Sequence, residues 1–297
     1  MKPANVTAAQ LEYLDAALEY ATWKDAASAL GVSASGFSQG IAELERRLGV
    51  TLFQRQGRRR LPTDEAREAG ARAARVLAEL RELERWAGEA RSGSTGKIRA
   101  GMIDTAAVHH FGDALMRHRA QHPDVALGLT VRPSGELFEL LRSGDLDVVV
   151  AVDPTDLGAP VDDLELHPLV VEPLFVYAPR GVLVGKPSEW GPWVSFPVDS
   201  RTRGLVAREL RRLGAGFDVV AESSQPAVLR EMVQLGMGWT VLSPVDAERE
   251  PHALHRAVPE PVAQRVLSLA RRRDRVPSEA VARFITHLLS SRESGHR

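Results

Sequence analysis

Between Ile41 and Pro62 the chain carries six arginines, Arg46, Arg47, Arg55, Arg58, Arg59 and Arg60, against two glutamates, Glu43 and Glu45. The whole protein has a formal net charge of −1, so this concentration is local. Guanidinium groups at that density neutralise phosphates and make binding steeply salt-dependent. Just upstream stand Ser33, Ser35, Ser38 and Gln39, and a glutamine can pair two-pronged with adenine in a major groove. A charge run by itself is usually a solvated face. Here its position beside small polar residues points to duplex DNA.

Other chemistry is weaker. His118 and His122 have the i, i+4 spacing that lets two imidazoles share a metal, but no carboxylate completes an HExxH pattern. RHRAQHP therefore reads as a solvated helix end of cationic character, and no metal site is expected. His109 and His110 are adjacent and point different ways. Gly236, Met237 and Gly238 make a GxG without the third glycine of a dinucleotide fingerprint, and neither a P-loop nor a GxSxG elbow is found. With no cysteine there is no disulfide, thiolate zinc site, cysteine nucleophile or thiol redox switch. These absences predict a non-enzyme without a cofactor.

The elements that would present the basic cluster are short helices. Thr7 is a candidate cap for a first helix with Leu11, Leu14, Ala17, Leu18 and Ala21 at helical spacing. A second runs from about Lys24 to Leu30, Gly31 turns the chain, and Ser33 or Ser35 caps a third through Phe37, Ile41, Leu44 and Leu48. Two helices joined at a glycine form a helix-turn-helix, whose second helix enters the major groove. A strand at Val50 to Phe53, a turn at Gly57 and the arginine run then make a wing.

From Thr63 to Arg91 the positions Ala66, Ala69, Ala73, Val76, Leu80, Leu83, Ala87 and Ala90 alternate spacings of three and four, the seam of a paired helix. This predicts a homodimer and a pseudo-palindromic site. After SGSTGK, strand-like runs alternate with helical ones: KIRAGMI, VALGLTV and LDVVVAV predict a parallel sheet, with a second subdomain starting near Val161. RVLSLARR is the candidate strand returning to the first subdomain. The N-terminus offers no secretory apolar region and no stretch approaches a membrane span, so a cytoplasmic protein is expected, without membrane contact.

The N-terminal block resembles the LysR-type transcriptional regulators. Agreement is closest in AASALGVS, at Ser38 and Ile41, and in LERRLGVTLFQR from Leu44 to Arg55. The chain departs from the family pattern at Ala34 and Ser35, at Gly40, and at Asp64 to Ala66. That shifts the expected readout toward Ser35, Ser38, Gln39 and the wing. The resemblance implies an α/β protein with an N-terminal all-α winged helix-turn-helix domain (1–62), a long linker helix for dimerisation (63–91), and a two-lobed effector domain like periplasmic binding proteins (92–297). Implied DNA contacts are Ser33, Ser35, Ser38, Gln39, Arg46, Arg55, Arg58, Arg59, Arg60 and Thr63, and implied dimer contacts are Ala73, Val76, Leu80, Leu83 and Ala87. Matched by position, the effector would meet Thr105, Ala106, Ser134 and Gly135 from one lobe, and Phe196, Pro197, Ser200, Arg201 and Ser223 from the other. Arg132 and Arg201 could add charge for a carboxylate, whereas Asp104 disfavours an anion. Implied partners are promoter DNA, a small-molecule effector, further copies of the chain as homodimer or homotetramer, and RNA polymerase. Two other readings stand beside this: a solute-binding protein or enzyme with a helical extension, and an architectural DNA binder with a vestigial cleft.

Overall fold

A computed structural model describes residues 5–56, 59–92, 96–155, 161–250 and 252–291. The contacts divide the chain into two units, one built on the residues up to Ser92 and one on nearly all the rest.

In the first unit, Thr7 and Gln10 close a reciprocal capping box on α1 (Ala8–Glu19), so two otherwise unpaired amides are satisfied at the start. Thr22 caps α2 (Trp23–Ala29), one residue earlier than the sequence spacing suggests. The next turn is closed by Val32 N–H donating to the Ala27 carbonyl, with Gly31 at φ 65°. Ser33 rather than Ser35 caps α3 (Ala34–Leu48) through Gly36 N–H, and α3 stops at left-handed Gly49. Leu14, Ala17, Ala26, Phe37, Ile41 and Leu44 form the buried core of this bundle.

The strand expected at Val50–Phe53 begins only at Phe53. Glu45 explains the delay: its carboxylate accepts from Leu52 and Phe53 N–H at 2.7 and 3.0 Å, holding that stretch as a turn. The wing is then the antiparallel pair β1 (Phe53–Gln56) and β2 (Arg59–Pro62). Gly40 meets a specific need. A Cβ there would lie 2.3 Å from Cδ2 of Tyr13, whose ring packs against Phe37. Gly40→Ala therefore forces a ring out of a filled core and should cost about 1–3 kcal/mol, read as a lower urea midpoint at unchanged slope.

The linker helix α4 (Asp64–Ser92) is one unbroken element, with Thr63 Oγ1 accepting from Ala66 N–H. Its apolar stripe divides. Ala66 and Ala73 are buried in the core with α1, so Ala73 packs on its own chain instead of waiting for a partner helix. The reason is length: the first turns of α4 are needed to cover α1. Val76, Leu80, Leu83 and Trp86 are exposed, and Ala87 is half-buried.

The second unit is built on a six-stranded sheet of order β4-β3-β5-β10-β6-β9. Strands β3 (Lys97–Met102), β4 (Ala126–Val131) and β5 (Val148–Val152) are parallel, as their apolar runs suggested. The crossovers are α5 (Gly112–Gln121), preceded by a π-turn at Ala106–His110, and α6 (Ser134–Arg142). The sheet as a whole is mixed, because β10 (Ala263–Arg272) returns antiparallel to both β5 and β6 (Leu164–Tyr177). The long strand β6 has no counterpart in the sequence reading. It pairs with β10 over ten positions, and the two strands run through both lobes: Leu164, Leu169 and Leu267 lie in one core, Leu174, Val176 and Ala263 in another. The second lobe adds the parallel pair β7 (Trp193–Ser195) and β8 (Val219–Glu222), with α7 (Arg201–Arg212), α8 (Pro226–Gln234), β9 (Thr240–Leu242) and α9 (Pro244–Ala247). Helix α10 (Glu279–Ser291) closes on the first lobe.

One expectation fails here. RHRAQHP is not simply a solvated helix end, because His118 is 1% exposed and packs against Phe284 and His287 of α10. Burial, then the neighbouring His122, His287 and Arg283, hold its pKa down at about 4, so the ring is neutral at pH 7.

Candidate effector cleft and nucleic-acid interface

On the helix-turn-helix, Ser35 and Gln39 are exposed and Ser38 is half-buried. Ser33 is occupied by its cap and by a 3.2 Å contact with Ser35 Oγ. Arg46 is held by Glu43 at 2.5 Å, and the same carboxylate takes Arg47 at 2.6 Å. That fork lowers the Glu43 pKa to about 2. Two of the six arginines are thus partly neutralised from within. In the wing, Arg55 stands opposite Arg60 across the ladder, a like-charge pairing that isolated strands avoid and that a polyanion would relieve. Arg60 also lies 4.4 Å above the Trp23 ring, which orients its guanidinium without discharging it. Arg58 and the side chain of Arg59 fall outside the described residues. Thr63 Oγ1 donates to the Thr51 and Leu52 carbonyls while capping α4, so its hydroxyl is already in use.

Between the two lobes of the second unit lies a cavity of about 390 Å³, within the range of small-molecule sites. Its walls are the carboxyl ends of β3, β4 and β5 and the loops that open α7 and α8, the place where α/β sheets bind ligands. Of the positions suggested by sequence, Thr105, Ser134, Phe196, Pro197 and Ser200 line it, as do Asp104 and Arg132. Ala106, Gly135, Arg201 and Ser223 do not. Ala106 turns into the lobe core, and Gly135 is exposed to one side. Arg201 lies over the Phe138 ring at 5.3 Å, and Ser223 Oγ accepts from Gln225 N–H, leaving Ser224 and Gln225 at the wall.

The floor holds what sequence reasoning missed. Arg265, 3% exposed, donates Nε–H to Glu172 at 2.6 Å, NH1 to Thr202 Oγ1 at 3.1 Å and NH2 to Thr105 Oγ1 at 3.2 Å. Thr105 in turn donates to Asp246, and His110 meets Glu172 at 2.7 Å. Burial would raise Glu172, but Arg265 and His110 outweigh it and hold the pKa at about 2. Asp246 goes the other way: burial pushes its carboxyl up, only partly countered by Arg265 and its hydrogen bonds. Arg265 and Glu172 are cross-strand partners on β10 and β6. The network therefore locks the two lobe-spanning strands where the lobes meet. The available signal was an arginine opening the strand-like run RVLSLARR. The guanidinium is consumed by its neighbours and is not a free anion site. Arg132 at the rim is likewise 3.6 Å from Glu136.

Two family models cover this arrangement. "Bacterial regulatory helix-turn-helix protein, lysR family" matches residues 8–67, and "LysR substrate binding domain" matches residues 91–292. The chain belongs to the LysR family. This LysR protein is thus a transcriptional regulator with a DNA-binding helix-turn-helix and an effector-binding domain, and not an enzyme. It is 28% identical over 287 residues to the uncharacterized HTH-type transcriptional regulator YfeR of Shigella flexneri, covering 93% of this chain and 91% of that one. It is also 28% identical over 258 residues to the HTH-type transcriptional regulator IlvY of Escherichia coli K12, covering 85% and 84%. Among solved structures, CbnR, a LysR family transcriptional regulator, is similar at TM-score 0.59 and 19% identity, covering 96% of this chain and 99% of that one. Full-length CbnR complexed with its target DNA gives TM-score 0.52 at 21% identity, with the same coverage. At these identities the structures show a shared fold. No helix of the described residues of this LysR regulator is long and apolar enough to cross a membrane.

Proposed function

We propose that this regulator acts in the cytoplasm and grips promoter DNA as a homodimer that can pair again into a tetramer. In this reading α3 and the wing engage a half-site, and a small-molecule effector between the lobes changes the output delivered to RNA polymerase. The division of labour follows the sequence boundaries: 1–62 for DNA, 63–91 for dimerisation and 92–297 for regulation. The observation that carries the DNA reading is the exposed face of α3 with Ser35 and Gln39, flanked by a wing whose Arg55 and Arg60 face each other across the ladder. Ser38, Arg46, Arg58, Arg59 and Thr63 would add contacts at the margins of that face. In the cleft, Thr105, Ser134, Phe196, Pro197 and Ser200 would meet the effector, joined by Thr202, Ser224 and Gln225. A ligand can shift the regulator only by binding its two states unequally.

The test selects genomic fragments retained by the purified full-length protein and maps the protected site. Retention should fall steeply with salt. Gln39→Ala should change the preferred sequence. Arg60→Ala should weaken all fragments alike and reduce the salt slope by about one contact. Retention indifferent to salt, or an unchanged preference in Gln39→Ala, contradicts the proposal. For the effector, a compound that fills the cleft must alter the footprint; saturation with an identical footprint sinks that half of it.

A further inference from the structure

Helices α5 and α10 bring three imidazoles together away from the cleft. His118 and His122 stand one turn apart on α5, and His287 comes from α10. One ring nitrogen from each lies within 4.8 Å of the others, and the Nδ1 atoms of His118 and His287 are 3.0 Å apart. His122 and His287 stack at a centroid distance of 5.6 Å. None of the three lines the cavity between the lobes.

We propose that His118, His122 and His287 form a three-histidine site for a divalent transition metal of the zinc class. The imidazole set suits zinc, copper or nickel and gives nothing to magnesium or calcium, which require oxygen. Tetrahedral zinc at about 2.0–2.1 Å from each nitrogen places its ligands roughly 3.3 Å apart. The His118–His287 pair already sits near that separation. His122 and His287 are half-buried, and the widest pair would close on the metal by a ring rotation. Three protein ligands leave a fourth position for water or a second molecule, the form of an open site.

A second observation comes from His118 itself. It is buried, and its Nε2 has no hydrogen-bond partner among the described residues, which is costly for a ring kept only for packing. With Nδ1, the ring atom that faces His287, on the metal, His118 would be fixed by coordination, and the metal–nitrogen bond would outweigh the cost of the unmet Nε2. Nearby Arg283, which also acts on His118, is paired with Glu279 at 2.5 Å. The ion would also tie α5 to α10, both of which pack against the sheet of the first lobe.

The experiment uses the full-length protein stripped with chelator. Cobalt(II) is added and visible d–d absorption is followed, after which zinc is added in competition. One equivalent should give intense tetrahedral bands that zinc removes. His122→Ala and His287→Ala should each weaken binding by more than the roughly 10–100-fold seen for changes outside the ligand shell. His252→Ala, an exposed histidine elsewhere, should leave it unchanged. Zinc should raise the melting temperature of the parent and not of His287→Ala. His118→Ala is avoided because burial makes it prone to unfold. Absent tetrahedral bands, or equal binding by the parent and both variants, overturns the site in favour of a histidine packing cluster.

Discussion

Arg265→Met will destabilise the effector-binding unit by about 3–5 kcal/mol at neutral pH, the cost typical of removing one partner from a buried ion pair. The substitution keeps an unbranched side chain but takes the guanidinium from Glu172 and Asp246, which are 3% and 1% exposed at the side chain, leaving Glu172 to His110 and Asp246 to hydroxyl donors. It also strips the Thr105 and Thr202 hydroxyls of their donor. The penalty has a definite pH dependence. In the parent, Glu172 titrates at about 2 when folded, below its ordinary value of 4.5. Its stabilisation is therefore complete above about pH 4.5 and is lost as pH falls toward 2. Asp246 is shifted upward by burial, so it opposes folding at neutral pH and is relieved as acid protonates it. Without the guanidinium both carboxyls prefer the protonated form in the fold. The gap between parent and variant should thus narrow as pH falls from 7 to 4. Urea denaturation followed by tryptophan fluorescence at the two pH values measures it. A gap that is small at pH 7, or that widens in acid, would show that the network does not hold the lobes' shared strands. Because Thr105 lines the cleft, the variant should also lose effector response before it loses DNA retention.

Leu80→Glu should convert the regulator to a monomer and weaken operator binding by at least about 100-fold, the scale lost when two linked half-site contacts become independent. Leu80 is 38% exposed in the single chain, so glutamate is tolerated by the folded protomer and circular dichroism should not change. Its neighbours Val76, Leu83 and Trp86 are 48%, 60% and 64% exposed. Together they make a contiguous apolar stripe on the outer half of α4, which solvent alone does not favour. The contrast with Ala73 is informative: it is 2% exposed within its own unit, and Ala73→Glu should unfold the N-terminal core rather than dissociate a dimer. Sedimentation separates these outcomes. A Leu80→Glu protein that still sediments as a dimer would move the interface elsewhere.

Local rules were legible wherever a residue acts on its near neighbours. Thr7, Gly31, Ser33 and Gly49 punctuate the helices where their types suggested, because a cap or a left-handed turn is settled within four residues. The apolar runs of β3 and β5 declared a parallel sheet because strands covered on both faces have no polar side to display, whereas β4, at the sheet edge, is apolar yet largely exposed. The heptad stripe of α4 was equally visible, yet spacing cannot say which neighbour covers it. Ala66 and Ala73 went to α1, and Leu80 and Leu83 were left exposed.

What the chain's own order of residues determined was its class: a basic wing beside a small-residue helix, a long helix, and alternating strands and helices. Only the tertiary structure decided where distant groups meet. Residues 118 and 287, or 172 and 265, are separated by far more chain than any periodicity spans, and their pairing depends on β6 and β10 lying side by side and on α10 folding back over α5. A histidine at a helix end carries the same sequence signature whether water or two other imidazoles surround it. The packing of the lobe, which excludes water from His118 and Arg265, is what turned ordinary polar residues into a cluster and a lock.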